Sequence, residues 1–152
     1  MAPFQKYSTL LILLIFLWEA PRHAFSTTND DIAFDPNIVI YPRKVYVRVN
    51  NDLDQSLKLT IDCKSKDDDL GKKELPPKGY LYWNFRPNIF GTTLFFCSMS
   101  SVYGTLSFDV YKFKRDYNGR CPNDCFWSVR SDGVHGTNEN TLQEDLFFKW
   151  TP

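Results

Sequence analysis

The chain has 152 residues, and its 18 Lys and Arg residues balance its 18 Asp and Glu residues. A chain of this length usually forms one compact domain. The lack of a basic surplus argues against a nucleic-acid binder, because neutralising phosphates requires clustered Lys and Arg.

The first 26 residues have the pattern of a secretory signal peptide. Lys6 precedes an apolar run, Leu10–Trp18, and Ala24-Phe25-Ser26 places small residues before a cleavage site. The run is too short for a membrane-spanning helix, which needs about 20 apolar residues. We therefore expect residues 27–152 to form a secreted domain with no membrane span. This mature chain keeps four cysteines but a single histidine, His135.

Four cysteines in a secreted chain favour two disulfides, for which three pairings are open. Cys63 and Cys97 each end a strand-like segment, which suits a bridge between strands, and Cys121 and Cys125 can close a small loop. We favour Cys63–Cys97 with Cys121–Cys125. The alternative is a four-thiolate zinc site, but the chain lacks the usual pair of Cys-x-x-Cys knuckles.

The mature chain reads as all-β. It has one alanine, Ala33, against 22 Val, Ile and Thr residues, which fit a pleated surface better than a helix. Apolar and polar residues alternate along four segments, and three further segments are apolar without clean alternation. The alternating segments lie around Val45–Val49, Leu57–Cys63, Leu81–Phe85 and Leu106–Val110, and the others are Thr92–Met99, Cys125–Arg130 and Leu146–Trp150.

Turn-forming residues separate these segments, and an additional early strand could lie around Ile38–Tyr41. Short turns favour antiparallel neighbours, since parallel strands need long crossovers. The pattern predicts a small antiparallel β-sandwich of seven to eight strands braced by two disulfides. Residues 27–37 are polar and are predicted to be a loosely ordered tail.

The order of these segments resembles the plant self-incompatibility protein family, the S-protein homologues. The matching stretches run from Val45-Tyr-Val-Arg-Val-Asn-Asn51, through Cys63-Lys-Ser-Lys-Asp-Asp-Asp-Leu-Gly71, to Trp127 and Asp132-Gly133. Two positions depart from the family pattern. Asp62 stands where a His is common, and Ser98-Met99-Ser100 replaces the aromatic that usually follows the second cysteine. The resemblance implies a secreted, disulfide-braced β-sandwich that acts as an extracellular ligand, as the best-understood members do in pollen self-recognition.

Asp67-Asp68-Asp69 is the most conspicuous polar cluster and could in principle bind Ca²⁺. It lacks the spacing of an EF-hand, and three adjacent side chains cannot all face one ion. We favour an Asx-type turn whose carboxylates accept hydrogen bonds from backbone N–H groups.

No catalytic constellation stands out. His135 follows Asp132-Gly133 and is interpreted as a solvated loop histidine rather than a general base, and no Gly-x-Ser-x-Gly elbow occurs. We therefore expect a protein that is not an enzyme and needs no cofactor or metal.

The aromatic residues fall into two groups. Those on strand segments are predicted to be core, whereas five tyrosines could line a binding face. The first group is Trp83, Phe85, Phe95, Phe96, Phe108, Trp127 and Phe147, and the second is Tyr80, Tyr82, Tyr103, Tyr111 and Tyr117.

The leading hypothesis is a secreted, monomeric recognition ligand that binds a cell-surface receptor through loops 64–74, 86–92, 114–124 and 132–141. The candidate contact residues are Asp67, Asp68, Asp69, Lys114, Arg115, Asp116, Asn118 and Arg120. The basic cluster Lys112–Arg115 could also meet an acidic receptor or a membrane surface. The alternative function is a secreted carbohydrate-binding or defence protein.

Overall fold

A computed structural model describes residues 41–152. The predicted signal peptide, the polar tail and all but the last residue of the early strand lie outside this range. The described chain forms nine strands. They are Val45–Asn51 (β1), Leu59–Lys64 (β2), Asp69–Leu75 (β3), Tyr80–Phe85 (β4), Leu94–Ser101 (β5), Gly104–Lys112 (β6), Asp124–Arg130 (β7), Gly133–Thr137 (β8) and Glu144–Lys149 (β9). Between β6 and β7 lie a short helical turn, Phe113–Arg115 (α1), and a π-helical turn, Asp116–Arg120.

The strands form two sheets, ordered β4-β1-β7-β8-β9 and β3-β2-β5-β6. The predicted all-β sandwich is confirmed, with nine strands where seven or eight were expected. Two of the nine, β8 and β3, lie in segments that the sequence predicted to be loops. β8 is short and contains two glycines, and β3 is mostly exposed, so neither shows the expected apolar alternation. β3 occupies the edge of its sheet, where only one side is paired.

One strand pair departs from the expected antiparallel arrangement. β1 pairs with β7 in parallel, with Val47 beside Cys125 and Val49 beside Trp127. These two strands are far apart in the chain, so the short turns that favour antiparallel neighbours place no constraint on them.

The core lies between the two sheets and follows the alternation in the sequence. On β1 and β2 every second residue is buried, as in Val45, Val47 and Val49. The fully buried Trp127 links the sheets, since its Nε1 donates a hydrogen bond to the carbonyl of Val110 at 3.1 Å.

Asn51 is the polar residue that organises one end of the sandwich. Its side chain is fully buried, and its Nδ2 lies 3.0–3.1 Å from the carbonyl oxygens of Leu57, Leu75 and Pro76. Its Oδ1 accepts a hydrogen bond from the backbone N–H of Leu53. Asn51 therefore satisfies carbonyl groups from two connections that would otherwise be buried without partners.

Both favoured disulfides are present. Cys63 on β2 is bonded to Cys97 on β5, its direct cross-strand neighbour, and Cys121 is bonded to Cys125 at the start of β7. All four cysteines are fully buried. The first bridge lies within one sheet, and the second closes the segment that leads from the π-helical turn into β7.

Candidate functional site

Four connections emerge at the same end of the sandwich. β2 and β6 end beside the start of β5, because Lys64 pairs with Phe96 and Lys112 with Leu94. In the other sheet, β7 starts where β1 starts. We call this region the loop end, defined as residues 65–68, 86–93, 113–123 and 138–143. A partner could contact all four loops at once.

Two of the predicted loops are partly strand. Segment 64–74 contains most of β3, so Asp69 lies on a strand, and segment 132–141 contains β8. Because β8 spans the sheet, Asp132 lies at the opposite end of the sandwich from Asn138. The other two segments, 86–92 and 114–124, are connections for nearly their whole length, as predicted.

Within the aspartate cluster only Asp69 forms the predicted Asx-type turn, and the adjoining turn is formed by the hydroxyl of Ser65. The hydroxyl of Ser65 accepts hydrogen bonds from the backbone N–H groups of Asp67 and Asp68, at 3.2 and 3.0 Å. The carboxylate of Asp69 accepts one from the N–H of Gly71 at 2.8 Å. Gly71 has a φ of 70°, which a glycine adopts without steric cost. All three carboxylates are exposed, so Asp67 and Asp68 remain available to a partner.

A cleft of about 430 Å³ lies between this turn and the β4–β5 loop. Lys66, Asp67 and Asp68 come from one side, Arg86 and Asn88 come from the other, and the rings of Phe85, Phe95 and Phe96 also line it. The cleft therefore offers both charges, an amide and an apolar surface. In residues 41–152, no cluster of three or more His, Cys, Asp or Glu side chains is arranged to hold a metal ion.

Asp116 is fully buried beneath the third loop. Its carboxylate accepts hydrogen bonds from the backbone N–H of Lys112 at 2.7 Å and from the guanidinium of Arg115 at 2.8 Å. The guanidinium of Arg120 lies 3.9 Å away. These contacts fold residues 112–120 around one carboxylate, so Asp116 fixes the loop and is not accessible to a partner.

Arg120 is buried as well, with only 5% of its surface exposed. Its Nε donates a hydrogen bond to Asp145 at 2.6 Å, and its guanidinium carbon lies 4.4 Å from the ring centroid of Trp127. A side chain at Gly136 would collide with both Arg120 and Trp127. Arg120 thus joins the third loop to β8 and β9.

The candidate contact residues of this loop must therefore be revised. Asp116 and Arg120 are buried, and Arg115 is only a quarter exposed because it pairs with Asp116. Lys114 and Asn118 are exposed and remain candidates. The sequence interpretation missed this because charged residues are expected at the surface unless they are paired, and the pairing is visible only in the fold.

Glu139 ties the fourth loop to the disulfide at Cys121–Cys125. Its carboxylate accepts hydrogen bonds from the backbone N–H groups of Asn123 and Asp124 and from the side chain of Asn123. Partial burial raises the pKa of Glu139, but these hydrogen bonds outweigh it and hold the pKa below its ordinary value. Burial, together with the nearby Glu139 charge, raises the pKa of Asp124.

His135 lies on β8, not in a solvated loop as its sequence context suggested. Its Nδ1 is 2.9 Å from Glu144, its Nε2 is 3.0 Å from Asp132, and its side chain is 14% exposed. The hydrogen bond to His135 lowers the pKa of Asp132, and the hydrogen bond from Arg130 lowers that of Glu144. Because both ring nitrogens contact carboxylates, neither is positioned to activate a nucleophile.

The aromatic predictions hold for most of the core set. Trp83, Phe95, Phe108 and Trp127 are buried, and Phe85 and Phe96 are partly buried. Phe147 is 51% exposed, so its assignment to the core was wrong. It lies on the outer face of the edge strand β9, where no second layer covers it. Among the tyrosines, Tyr111 is fully buried, and burial raises its pKa.

Several exposed or partly exposed rings share the outer face of the five-stranded sheet. The rings of Tyr46 and Tyr82 are stacked with centroids 6.0 Å apart, and the guanidinium of Arg48 lies 4.2 Å from the ring centroid of Tyr80. We call this surface the aromatic face. Its rings belong to Tyr46, Tyr80, Tyr82, Phe126 and Phe147.

The fold and the loop end define a class of protein: a small, disulfide-braced β-sandwich that presents charged loops at one end. The family model described as plant self-incompatibility protein S1 matches residues 46–150, and the chain belongs to this family. The match covers all nine described strands except the first residue of β1, and it includes both cysteine pairs. The family resemblance read from the sequence is therefore confirmed.

Individual relatives agree with this assignment. The chain is 39% identical over 152 residues to S-protein homolog 2 of Arabidopsis thaliana, covering 96% of this chain and 94% of that protein. It is 32% identical over 96 residues to self-incompatibility protein S1 of Papaver rhoeas, covering 62% of this chain and 69% of that protein.

A solved structure shares the fold, with a TM-score of 0.56 and 20% sequence identity. The match covers 72% of this chain and 96% of that chain. The solved structure is that of an SPH (self-incompatibility protein homologue) protein, and these are described as a widespread family of small, highly stable, secreted proteins from plants. Within residues 41–152, no helix has the length and apolar character needed to cross a membrane.

Proposed function

We propose that this protein is a secreted extracellular ligand that binds a cell-surface receptor through its loop end. The observation that carries the proposal is the convergence of four loops at one end of a braced sandwich. Secretion is supported by the signal-peptide pattern of residues 1–26 and by the description of the SPH proteins as secreted. Receptor binding is supported by membership of the self-incompatibility family.

The loop end is suited to recognition because its backbone is held in place before a partner arrives. Asp116 and the Cys121–Cys125 bridge hold the third loop, and Glu139 joins the fourth loop to it. A preorganised surface loses little conformational entropy on binding, so more of the contact energy appears as affinity. The exposed charges Lys66, Asp67, Asp68 and Lys114 would then select a partner of complementary charge.

We further propose that the protein acts without catalysis and as a monomer. The family is not a known enzyme family, and the histidine is held between two carboxylates. A single copy presents all four loops, so binding needs no second subunit. Sedimentation of the secreted protein would reveal a dimer if this part of the proposal is wrong.

Reversing charges at the loop end should abolish recognition and leave the fold intact. Asp67→Lys combined with Lys114→Glu is expected to weaken binding to the protein's target cells at least about tenfold. Each reversed charge would then repel the receptor group that the original charge attracts. Neither side chain is buried, so the urea unfolding midpoint should not change. Binding is measured with labelled protein on intact cells.

A matched control places a charge reversal at the other end of the sandwich. Lys78→Glu alters an exposed lysine in the β3–β4 turn and should leave cell binding unchanged. Because the paired changes at the loop end leave the net charge as it was, equal loss in both variants would show that the effect is not specific to the loop end. Full binding by the loop-end variant would contradict the proposed recognition surface.

A second candidate function is carbohydrate binding on the aromatic face. Exposed rings beside amide and guanidinium groups can stack on sugars and donate hydrogen bonds to their hydroxyls. If glycans bind here, Tyr82→Ala should weaken binding on a glycan array at least about fivefold, since the ring provides much of the contact area. Phe90→Ala, which removes an exposed ring at the loop end, serves as the control.

A further inference from the structure

The tip of the β4–β5 loop exposes two adjacent apolar side chains. Ile89 is 74% exposed and Phe90 is 83% exposed, although side chains of this kind are usually buried. A single exposed apolar residue is common and needs no explanation, whereas a pair at the point of a loop forms a convex apolar surface. Neither residue contributes to the core.

Hydrogen bonds hold this tip in a closed turn. The side-chain oxygen of Asn88 accepts a hydrogen bond from the N–H of Thr92 at 2.9 Å, and its Nδ2 donates one to the Thr92 hydroxyl at 2.6 Å. Gly91, with a φ of 68°, donates its N–H to the Asn88 carbonyl and lies against the ring of Phe113. Ile89 and Phe90 are thus presented by a fixed backbone.

Basic side chains surround the tip on both sides. Arg86 lies at the base of the loop, and Lys112 and Lys114 line a shallow depression together with residues 91–94. Within residues 41–152, Arg86 and Lys114 form no ion pair, and the amine of Lys112 is 3.9 Å from the carboxylate of Asp109. Asp67 and Asp68 belong to a different loop, on the far side of the cleft.

We propose that this tip inserts Ile89 and Phe90 into the headgroup region of an anionic lipid bilayer. The apolar side chains lie at the tip of the loop, and the cations lie behind them. A bilayer has the complementary order, because its anionic phosphates and carboxylates lie outside its acyl chains. The contact is peripheral and orients the rest of the loop end toward the cell surface.

Sedimentation with lipid vesicles tests this without any receptor. The secreted protein, with its disulfides intact, is mixed with phosphatidylcholine vesicles that either contain or lack phosphatidylserine. We expect binding only to the anionic vesicles, and Ile89→Gln with Phe90→Gln should reduce it at least about tenfold. Lys112→Gln and Lys114→Gln should each reduce it about fivefold.

A control variant and a second readout separate insertion of the tip from nonspecific adsorption to vesicles. Val102→Gln removes a 73%-exposed apolar residue from the β5–β6 turn at the opposite end and should not change binding. Phe90→Trp adds a fluorophore at the tip to Trp83, Trp127 and Trp150, and anionic vesicles should shift the emission of this variant to shorter wavelength more than that of the unmodified protein.

Failure of the protein to bind anionic vesicles, or equal binding by the Ile89/Phe90 double variant, would overturn the proposal. If the unmodified protein does not bind lipid and the Ile89/Phe90 double variant loses binding to target cells, the tip contacts a protein and not a bilayer. The receptor proposal has a separate readout, since Asp67→Lys alone should weaken binding to target cells while it leaves the apolar tip, Lys112 and Lys114 unchanged.

Discussion

Replacing Asp116 with alanine is expected to lower the free energy of unfolding by about 3–5 kcal/mol, the usual cost of removing one partner from a buried ion pair. The change would leave the backbone N–H of Lys112 and the guanidinium of Arg115 without their acceptor. Arg120 keeps its hydrogen bond to Asp145 but loses the second carboxylate, which lies 3.9 Å from its guanidinium. Urea denaturation followed by tryptophan fluorescence measures the loss.

Asp109 offers the matched control for this experiment. Its carboxylate is 41% exposed and lies 3.9 Å from the amine of Lys112, so Asp109→Ala should cost only about 0–1 kcal/mol. Asp116→Asn keeps the volume and an acceptor but loses the charge, and should fall between the two alanine variants. If Asp116→Ala is no less stable than Asp109→Ala, the buried carboxylate does not organise the loop.

The sequence was most informative where burial alternates. Val45, Val47 and Val49 are fully buried and separated by partly exposed residues, and this period of two is what predicts a strand with one face on a core. β3 breaks the rule because both of its faces are largely exposed. A strand that lacks a buried face leaves no periodic signal, so most of β3 was assigned to the predicted loop 64–74.

The loop end could be predicted only in part. Connections 86–92 and 114–124 were identified from turn-forming residues, but their convergence depends on the parallel pairing of β1 with β7 and on the register of β5. Pairing between distant strands is a tertiary property. The burial of Arg120 follows from the same cause, since its partners Asp145 and Trp127 lie on β9 and β7. Asp116 differs, because its partners Lys112 and Arg115 are close to it in the chain.

The two disulfides should differ in what they stabilise. Cys63 and Cys97 are separated by 34 residues, and Cys121 and Cys125 by four. In the chain-entropy model, the longer loop restricts the unfolded chain more, by about 4 kcal/mol against about 2 kcal/mol for the shorter one. Cys63→Ala with Cys97→Ala should therefore lower the free energy of unfolding by about twice as much as Cys121→Ala with Cys125→Ala.

The shorter bridge should matter more for the loop end than for global stability. It lies between the π-helical turn and β7, where Glu139 also binds the backbone of Asn123 and Asp124. Hydrogen exchange in the Cys121/Cys125 double variant should accelerate in residues 113–123 and stay slow in β2 and β5. The Cys63/Cys97 double variant should instead show faster exchange throughout the sandwich, because its bridge lies in the common core. Reversal of these two patterns would show that the short bridge supports the core and that the loop end is held by its buried charges alone.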